Sequence, residues 1–385
     1  MKIIFAHDHK LRYSNGKYYT LGGLSDSVTN RYTSIFDNVT IICRAIPIQP
    51  FDKNIFELKN RKVNIQAIHS NSLIINRKKK YYIKELVKES DAVIVRLPSF
   101  IGEIVYKYAK LLNKPTLVEV VTCPWDSLWN HGIKGKIIAP YMWYKTRKSV
   151  KNADYVIYVT KSFLQKRYPT NGINVGCSDV ELINIDNDIL NLRLKKIHEQ
   201  RSCPLVLGTL AALDTQFKGQ QYVIKAIAQL KSQGIIFKYK LAGGGSNTYL
   251  KKITQKYNVE ELIEFSGVIP HNKIFDWLND IDIYIQPSLQ EGLPRALVEA
   301  MSRACPAIGS TAGGIPELIN KKYIFPKKNI ESIVTLLKEL RPKDLEEMAK
   351  ENMQTALKYR KENLDIERNK FYENFKTYII NRNNF

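Results

Sequence analysis

Short apolar runs separated by longer mixed segments set the rhythm of this chain. Residues 2–6 (KIIFA) read as a first strand, followed by a long polar loop holding Gly22 and Gly23, and 38–43 (NVTIIC) read as a second strand. Similar runs recur at 91–95 (DAVIV), 116–121 (TLVEVV) and 155–160 (YVIYVT), with gaps long enough for helices. Strands alternating with helices predict an α/β layer built on a mostly parallel sheet. After Tyr168 the pattern loosens. Residues 177–200 read as a polar linker with a final strand, and Arg201-Ser202-Cys203-Pro204 as a hinge. The alternation then restarts with LVLGTL (205–210). In QQYVIKAIAQLK (220–231) the apolar positions 223, 224, 227 and 230 mark one face of a helix. FKYKLAGGG (237–245) runs into a glycine turn; IEFSG (263–267), a helix near 271–279, IDIYIQP (281–287) and a strand at 306–309 follow. From Glu331 to Tyr378 the chain reads as mostly helical.

The 385 residues exceed one ordinary hydrophobic core and suit two domains, expected at 1–200 and 201–357. Two such α/β domains would face each other across a cleft, and ligands of open sheets bind beyond the strands' carboxyl ends. No run of about 18 apolar residues is present, so no segment reads as membrane-spanning. The start, MKIIFAHDHK, reads as a strand rather than a signal peptide. The five cysteines (43, 123, 177, 203 and 305) are scattered without ligand spacing, which points to a reduced cytoplasmic setting.

Charge adds a partner question. The net charge is +22, and residues 1–200 carry 32 Lys and Arg against 17 Asp and Glu, leaving 27 against 20 in the remainder. Such a field attracts phosphate-rich ligands, nucleic acid or an anionic membrane. A lysine-rich composition with no selected partner accounts for it equally well.

The chemistry gathers in SLQEGLPRALVEAMSRACPAIGSTAGGIPELI (288–319). Pro294 suits the first turn of a helix running to about Arg303, with Glu299 inside it and Glu291 in the loop before. A solvated helix glutamate and a turn residue would explain these two cheaply, and Gly313-Gly314 would pass as an ordinary turn. Their neighbours change the reading. Lys218-Gly219 lies between a strand and a helix, Gly243-Gly244-Gly245 follows a second strand, and Gly267 ends a third. Small residues at several strand ends let backbone amides approach a diphosphate, and one lysine neutralises its charge. A carboxylate accepting both ribose hydroxyls would complete a nucleotide site.

The series Gly208, Lys218-Gly219, Gly243-Gly244, Gly267, Glu291-x7-Glu299 and Gly313-Gly314-Ile315-Pro316-Glu317 closely resembles the donor half of the retaining, group 1 glycosyltransferases of family 4. The likeness covers nearly the whole chain and is strongest over residues 205–320. It implies a GT-B fold, two Rossmann-like domains facing across a cleft, with a last helix at 358–385 crossing back to the first domain. It implies a nucleotide-diphosphate sugar as donor, retention at the anomeric carbon, and no metal or other cofactor. Glu299 then matches the residue that grips the ribose, Glu291 the one near the donor sugar, and Lys218 the partner of the departing diphosphate. Gly313 and Gly314 would present amides to sugar and phosphate, and Gly267 and Val268 belong to the segment that packs on the base. Gly22 and Gly23 match a first-domain loop that approaches the phosphates. A leaving diphosphate makes stabilisation of developing negative charge the main electrostatic task.

Two positions depart from the family pattern. Thr209 stands where many members have an arginine. VEVVTCPWDSLWNHG lacks a histidine at the strand end, so Asp126 becomes the candidate polar contact, with His131 several residues later. His7, Asp8 and His9 cluster after the first strand without a further ligand set, so no metal site is expected there. RKKKYYIK (77–84) and YMWYKTRKSVK (141–151) are either solvated faces or surfaces that rest on anionic lipid. The second reading suits a peripheral enzyme at the inner face of the cell membrane that extends a glycan or polyprenyl-linked glycan for a capsule or lipopolysaccharide. The rival readings are a basic nucleic-acid-binding or non-catalytic protein, and a hydrolase or epimerase of the same fold. No nucleic-acid recognition module is visible, so nucleic acid is not the expected partner.

Overall fold

The computed structural model describes residues 1–48, 55–68, 75–130, 132–183, 185–186, 188–199 and 204–383. The chain forms two α/β units, one of residues 1–177 with 365–385 and one of residues 178–364. The first holds a nine-stranded sheet: β1 (Lys2–Ser14), β2 (Lys17–Thr20), β3 (Asn38–Pro47), β4 (Phe56–Glu57), β5 (Val63–Ile68), β6 (Ala92–Leu97), β7 (Thr116–Val120), β8 (Tyr155–Tyr158) and β9 (Ile173–Gly176). Seven strands run parallel in the order β5-β3-β1-β6-β7-β8-β9. Every residue of β7 and β8 is buried, as expected for strands covered on both faces.

The first strand is longer than its apolar run suggests. After a register shift between Ala6 and Lys10 it continues to Ser14, turns at Asn15 and Gly16, and pairs antiparallel with β2. Asn15 and Gly16 both have positive φ, 49° and 75°. Two such residues make the tight turn whose twist matches a hairpin, and Asn-Gly is its usual sequence. The stretch expected to be a loop is therefore partly sheet, and His7, Asp8 and His9 lie within β1.

The second unit carries a six-stranded, all-parallel sheet of β10 (Val206–Leu210), β11 (Lys238–Ala242), β12 (Ile263–Gly267), β13 (Ile283–Gln286), β14 (Ala307–Ser310) and β15 (Ile324–Phe325), ordered β12-β11-β10-β13-β14-β15. Helix Gln220–Ser232 buries Val223, Ile224, Ile227 and Leu230 against it, the four positions its period marks.

Residues 177–200 contain a helix, Ile189–Glu199, where a linker and strand were expected. Ile189 packs with Ala304, Ala349 and Met353 of the second unit. Buried Arg193 donates to the carbonyls of Leu278 (3.0 Å), Arg303 (3.3 Å) and Ile281. These contacts place the division at 177/178 instead of 200/201. The expected hinge at 201–203 lies outside the described residues. The second crossing, at 364/365, falls inside helix Lys361–Asn383 and not at 357/358.

That last helix buries Phe371, Tyr372, Phe375 and Ile379, a helical stripe, against the first unit. Phe371 and Phe375 flank the Tyr155 ring at centroid distances of 5.3 and 5.2 Å. At the centre of this packing, buried Glu119 of β7 accepts from Tyr372 Oη at 2.6 Å, Tyr32 Oη at 3.0 Å and Arg96 Nε at 2.8 Å. A buried carboxylate is tolerated only with such a full set of donors. Tyr372→Phe is expected to destabilise the first unit by about 2 kcal/mol, the worth of a hydrogen bond to a charged group. The measurement is the urea midpoint; an unchanged midpoint would remove Glu119 from its anchoring role.

Candidate functional site

In the second sheet β10 and β13 are neighbours although β11 and β12 lie between them in the chain. A strand order that reverses in this way opens a crevice at the carboxyl ends, where open α/β sheets take ligands. Lys218 follows β10 and Glu291 follows β13, so they flank it. Lys218 Nζ lies 2.7 Å from Glu291 Oε1. The same oxygen accepts hydrogen bonds from Ser288 Oγ at 2.7 Å and Gln286 Nε2 at 3.2 Å. Gln286 Nε2 also donates to Ser288 Oγ at 2.8 Å, and Tyr284 Oη donates to Gln286 Oε1 at 3.1 Å. Residues 284, 286 and 288 share one side of the extended chain because the pleat has period two. A buried row of polar groups thus leads along β13 and ends on Glu291.

Two glycines let the backbone close around this row. Gly219 has φ +80°, and a Cβ there would stand 2.0 Å from the Pro287 carbonyl oxygen. Gly313 has φ +56°, and its Cβ would stand 2.2 Å from the Glu291 carbonyl oxygen. Gly314 N donates to the Gly292 carbonyl at 2.8 Å, which ties the loop after β14 to the Glu291 loop. Glu299, partly buried, lies in helix Arg295–Met301, with Pro294 at its N-cap. Both glutamates act on Tyr284. Burial holds its phenol well above the ordinary pKa, the charges of Glu299 and Glu291 push the same way, and the Leu210 amide N–H, donating to the phenol oxygen at 3.3 Å, opposes them.

The remaining strand ends are stitched to this edge. Leu213 N donates to the Gly244 carbonyl and Gly243 N to the Gly267 carbonyl, each at 2.8 Å. Gly267 has φ +71°, and Val268 beyond it is 72% exposed. Thr209 is fully buried and donates to the Ile285 carbonyl at 2.6 Å, so it is tied into the sheet and brings no positive charge.

In the first unit Gly22 N donates to Thr20 Oγ1 at 3.1 Å, and His9 Nε2 lies 3.4 Å from that hydroxyl. A Cβ on Gly23 would stand 2.7 Å from the His9 ring, so the Gly22-Gly23 turn rests on this imidazole. Asp8 is occupied: it accepts from Arg44 Nε at 2.7 Å, Ser99 Oγ at 3.1 Å and the Phe100 amide at the start of helix Phe100–Leu111. Asp126, in the short helix Pro124–Trp129, pairs with Arg167 at 3.4 Å. Cys123 Sγ lies 3.0 Å from Tyr168 Oη. His131 lies outside the described residues. Among the described residues no group of three His, Cys, Asp or Glu side chains is placed to hold a metal ion.

Sequence reasoning missed Tyr284, Gln286 and Ser288. Their signal was present as polar residues at every second position of a strand otherwise made of isoleucine.

Two Rossmann-like units, the second with a glycine-lined edge holding a lysine and two glutamates, define a GT-B glycosyltransferase. The chain belongs to the family described as glycosyl transferases group 1, whose pattern matches residues 192–358. It is 34% identical over 389 residues to Protein CapJ of Staphylococcus aureus, covering 98% of this chain and 97% of that protein. It is 31% identical over 182 residues to the amylovoran biosynthesis glycosyltransferase AmsK of Erwinia amylovora, 44% of each chain. Among solved structures, Anabaena Alr3699/HepE in complex with UDP-glucose has a TM-score of 0.66 at 15% identity, covering 97% of this chain and 100% of that one, a likeness of fold.

Two expectations follow. Gly313→Ala should lower sugar transfer at least tenfold with the fold retained by circular dichroism, because its Cβ displaces the Glu291 loop; full activity would show that the contact is dispensable. The second concerns pH. Burial first, then the Arg96 charge, lower the His9 pKa below its ordinary value. The unfolded chain therefore binds this proton more readily, so His9 costs the first unit stability as pH falls below about 6.5 and down through the folded-state value. His9→Gln should flatten that part of the urea-midpoint profile; an unchanged slope would assign it to other groups.

Proposed function

We propose that this glycosyltransferase moves a sugar, with retention, from a nucleotide-diphosphate donor to a hydroxyl of a glycan or polyprenyl-linked glycan in cell-surface polysaccharide biosynthesis. The observation that carries the reading is the convergence of Lys218, Glu291 and the Gly219 and Gly313 close approaches on one crevice. In transfer, the bond from the anomeric carbon to the phosphate oxygen breaks, a bond to the acceptor oxygen forms, and the acceptor's hydroxyl proton passes to the departing diphosphate oxygen. Charge builds on the diphosphate. Lys218, paired with Glu291, is the nearby cation that can turn to it, and the Gly313 amide adds partial positive charge, while the Gly314 amide holds the loop through the Gly292 carbonyl. Glu291, freed from the lysine but still held by Ser288 and Gln286, faces the sugar. Glu299 takes the ribose hydroxyls, Gly267 and Val268 the base, and Gly22-Gly23 the phosphates. Asp126 is assigned to the acceptor side, where it must act beside Arg167.

The setting rests on the relatives: HepE is described with UDP-glucose, and AmsK by amylovoran biosynthesis. A lipid-linked acceptor places the work at an anionic membrane surface, with no helix among the described residues long and apolar enough to cross one. Calorimetric titration with UDP, GDP, ADP and dTDP should show one nucleotide bound without added metal. Lys218→Ala and Glu299→Ala should each weaken that binding about tenfold or more, in line with charge-assisted contacts. Unaltered affinity in both variants would move the donor site elsewhere. The anomeric configuration of the product, read by NMR, tests retention.

A further inference from the structure

Helix Gly132–Lys151 has two apolar faces. One buries Ala139, Met142, Thr146 and Val150 in the first unit. The other is exposed: Ile133 (79%), Ile137 (73%), Tyr141 (56%) and Tyr144 (58%). At about 100° per residue these four fall within roughly 80° of one another, on the side opposite the buried face. Water is an unfavourable environment for such a stripe, and a scattered surface isoleucine does not explain four residues in register.

Cations border the stripe on both sides. Lys134 and Lys145 lie along one flank, Lys136 and Arg147 along the other, and Lys148 continues the stripe one turn beyond Tyr144, while residues 132–151 contain no Asp or Glu. Trp129 continues the patch beyond the helix start, with Lys136 Nζ 5.7 Å from its ring. Next to the stripe a groove of 730 Å³ opens between this helix and Phe100–Leu111; Phe100, Ile104 and Ile138 line it, and Lys80, Lys107 and Lys145 stand around it. Glu103 at its base is buried and accepts from Ser149 Oγ at 2.7 Å, which turns its charge away from the surface.

We infer that this face seats the protein on an anionic phospholipid bilayer, with Ile133, Ile137, Tyr141 and Tyr144 entering the headgroup–acyl boundary and the flanking lysines meeting lipid phosphates. Apolar insertion ringed by cations and interfacial aromatics is the chemistry of a helix that lies in the membrane plane. The inference deepens the reading of a lipid-linked acceptor, since it names the surface that would bring the enzyme to it. The same feature separates it from a purely electrostatic association, which needs the lysines but not the isoleucines.

The test is co-sedimentation of the full chain with vesicles of phosphatidylcholine alone or mixed with phosphatidylglycerol, at low and high salt. Binding is expected on the anionic vesicles, with a residue that survives salt. Ile133→Ser/Ile137→Ser should lower the partition coefficient at least tenfold, and Lys134→Gln/Lys145→Gln/Lys148→Gln should remove the preference for anionic lipid. The changed side chains are exposed except Lys145, which is half-buried, and nucleotide binding by calorimetry serves as the check on fold. Wild-type sedimentation of the isoleucine variant overturns the inference. So does self-association in the ultracentrifuge that depends on the two isoleucines without vesicle binding, which would give the face to a second copy of the chain. Vesicle failure with nucleotide binding intact leaves the transferase reading standing; loss of nucleotide binding with vesicle binding intact does the reverse.

Discussion

The crevice at the carboxyl edge of the second sheet depends on backbone approaching backbone more closely than any side chain permits. Gly219 lies against Pro287 and Gly313 against the Glu291 carbonyl, and both hold the positive φ that glycine adopts without strain. These two contacts pin the loop after β13 between the loops after β10 and β14. Lys218 and Glu291 sit one residue from a pinned position or share its contact, so their 2.7 Å pairing is a product of the backbone as much as of their charges. Preorganisation of this kind matters at a site where charge develops during reaction, because the groups that meet it need no further rearrangement.

Glu291 and Glu119 show two uses of a carboxylate. Glu119 is enclosed by Tyr32, Tyr372 and Arg96 and serves to join β7 to the last helix. Glu291 is also surrounded by donors, but its cationic partner sits on a flexible stem at the edge of a crevice. A lysine there can exchange partners with an incoming anion, whereas the donors on Glu119 are buried apart from the partly exposed Arg96. Burial and partner mobility, more than residue type, separate the anchoring acid from the one beside the crevice.

The fold was legible wherever burial was two-sided. The runs at 91–95, 116–121 and 155–160, and the restart at 205, became β6, β7, β8 and β10, because a parallel strand covered on both faces is a near-continuous apolar run, broken only where a group such as Glu119 finds partners. Edges were less readable. Polar HDHKLRYS hid the continuation of β1, and the Asn15-Gly16 turn was passed over. Val63–Ile68, half-covered with polar residues between its apolar ones, was not seen. Helix Ile189–Glu199 was hidden by Arg193, whose charge suggested solvent but whose guanidinium is spent on three carbonyls. At the site, the glutamates, Lys218 and the glycines could be named because spacing carries them. Tyr284, Gln286 and Ser288 could not, because their role depends on which side of a buried strand they face. The exposed stripe of the Gly132–Lys151 helix was equally hidden, since periodicity gives the apolar positions without saying which ones a core covers.

The last helix has a consequence for synthesis. Residues 365–385 complete the first unit, yet they leave the ribosome after the whole of the second. The emerging second unit has its entire sequence before the first has Phe371, Tyr372 and Phe375 to cover Tyr155 and reach Glu119. Domains tend to fold as they emerge, N-terminal first; here that order is inverted for the final packing step. Until that helix emerges, the first sheet carries an uncovered aromatic surface and a carboxylate short of one donor. The first unit is therefore finished only after the whole of the second has been made.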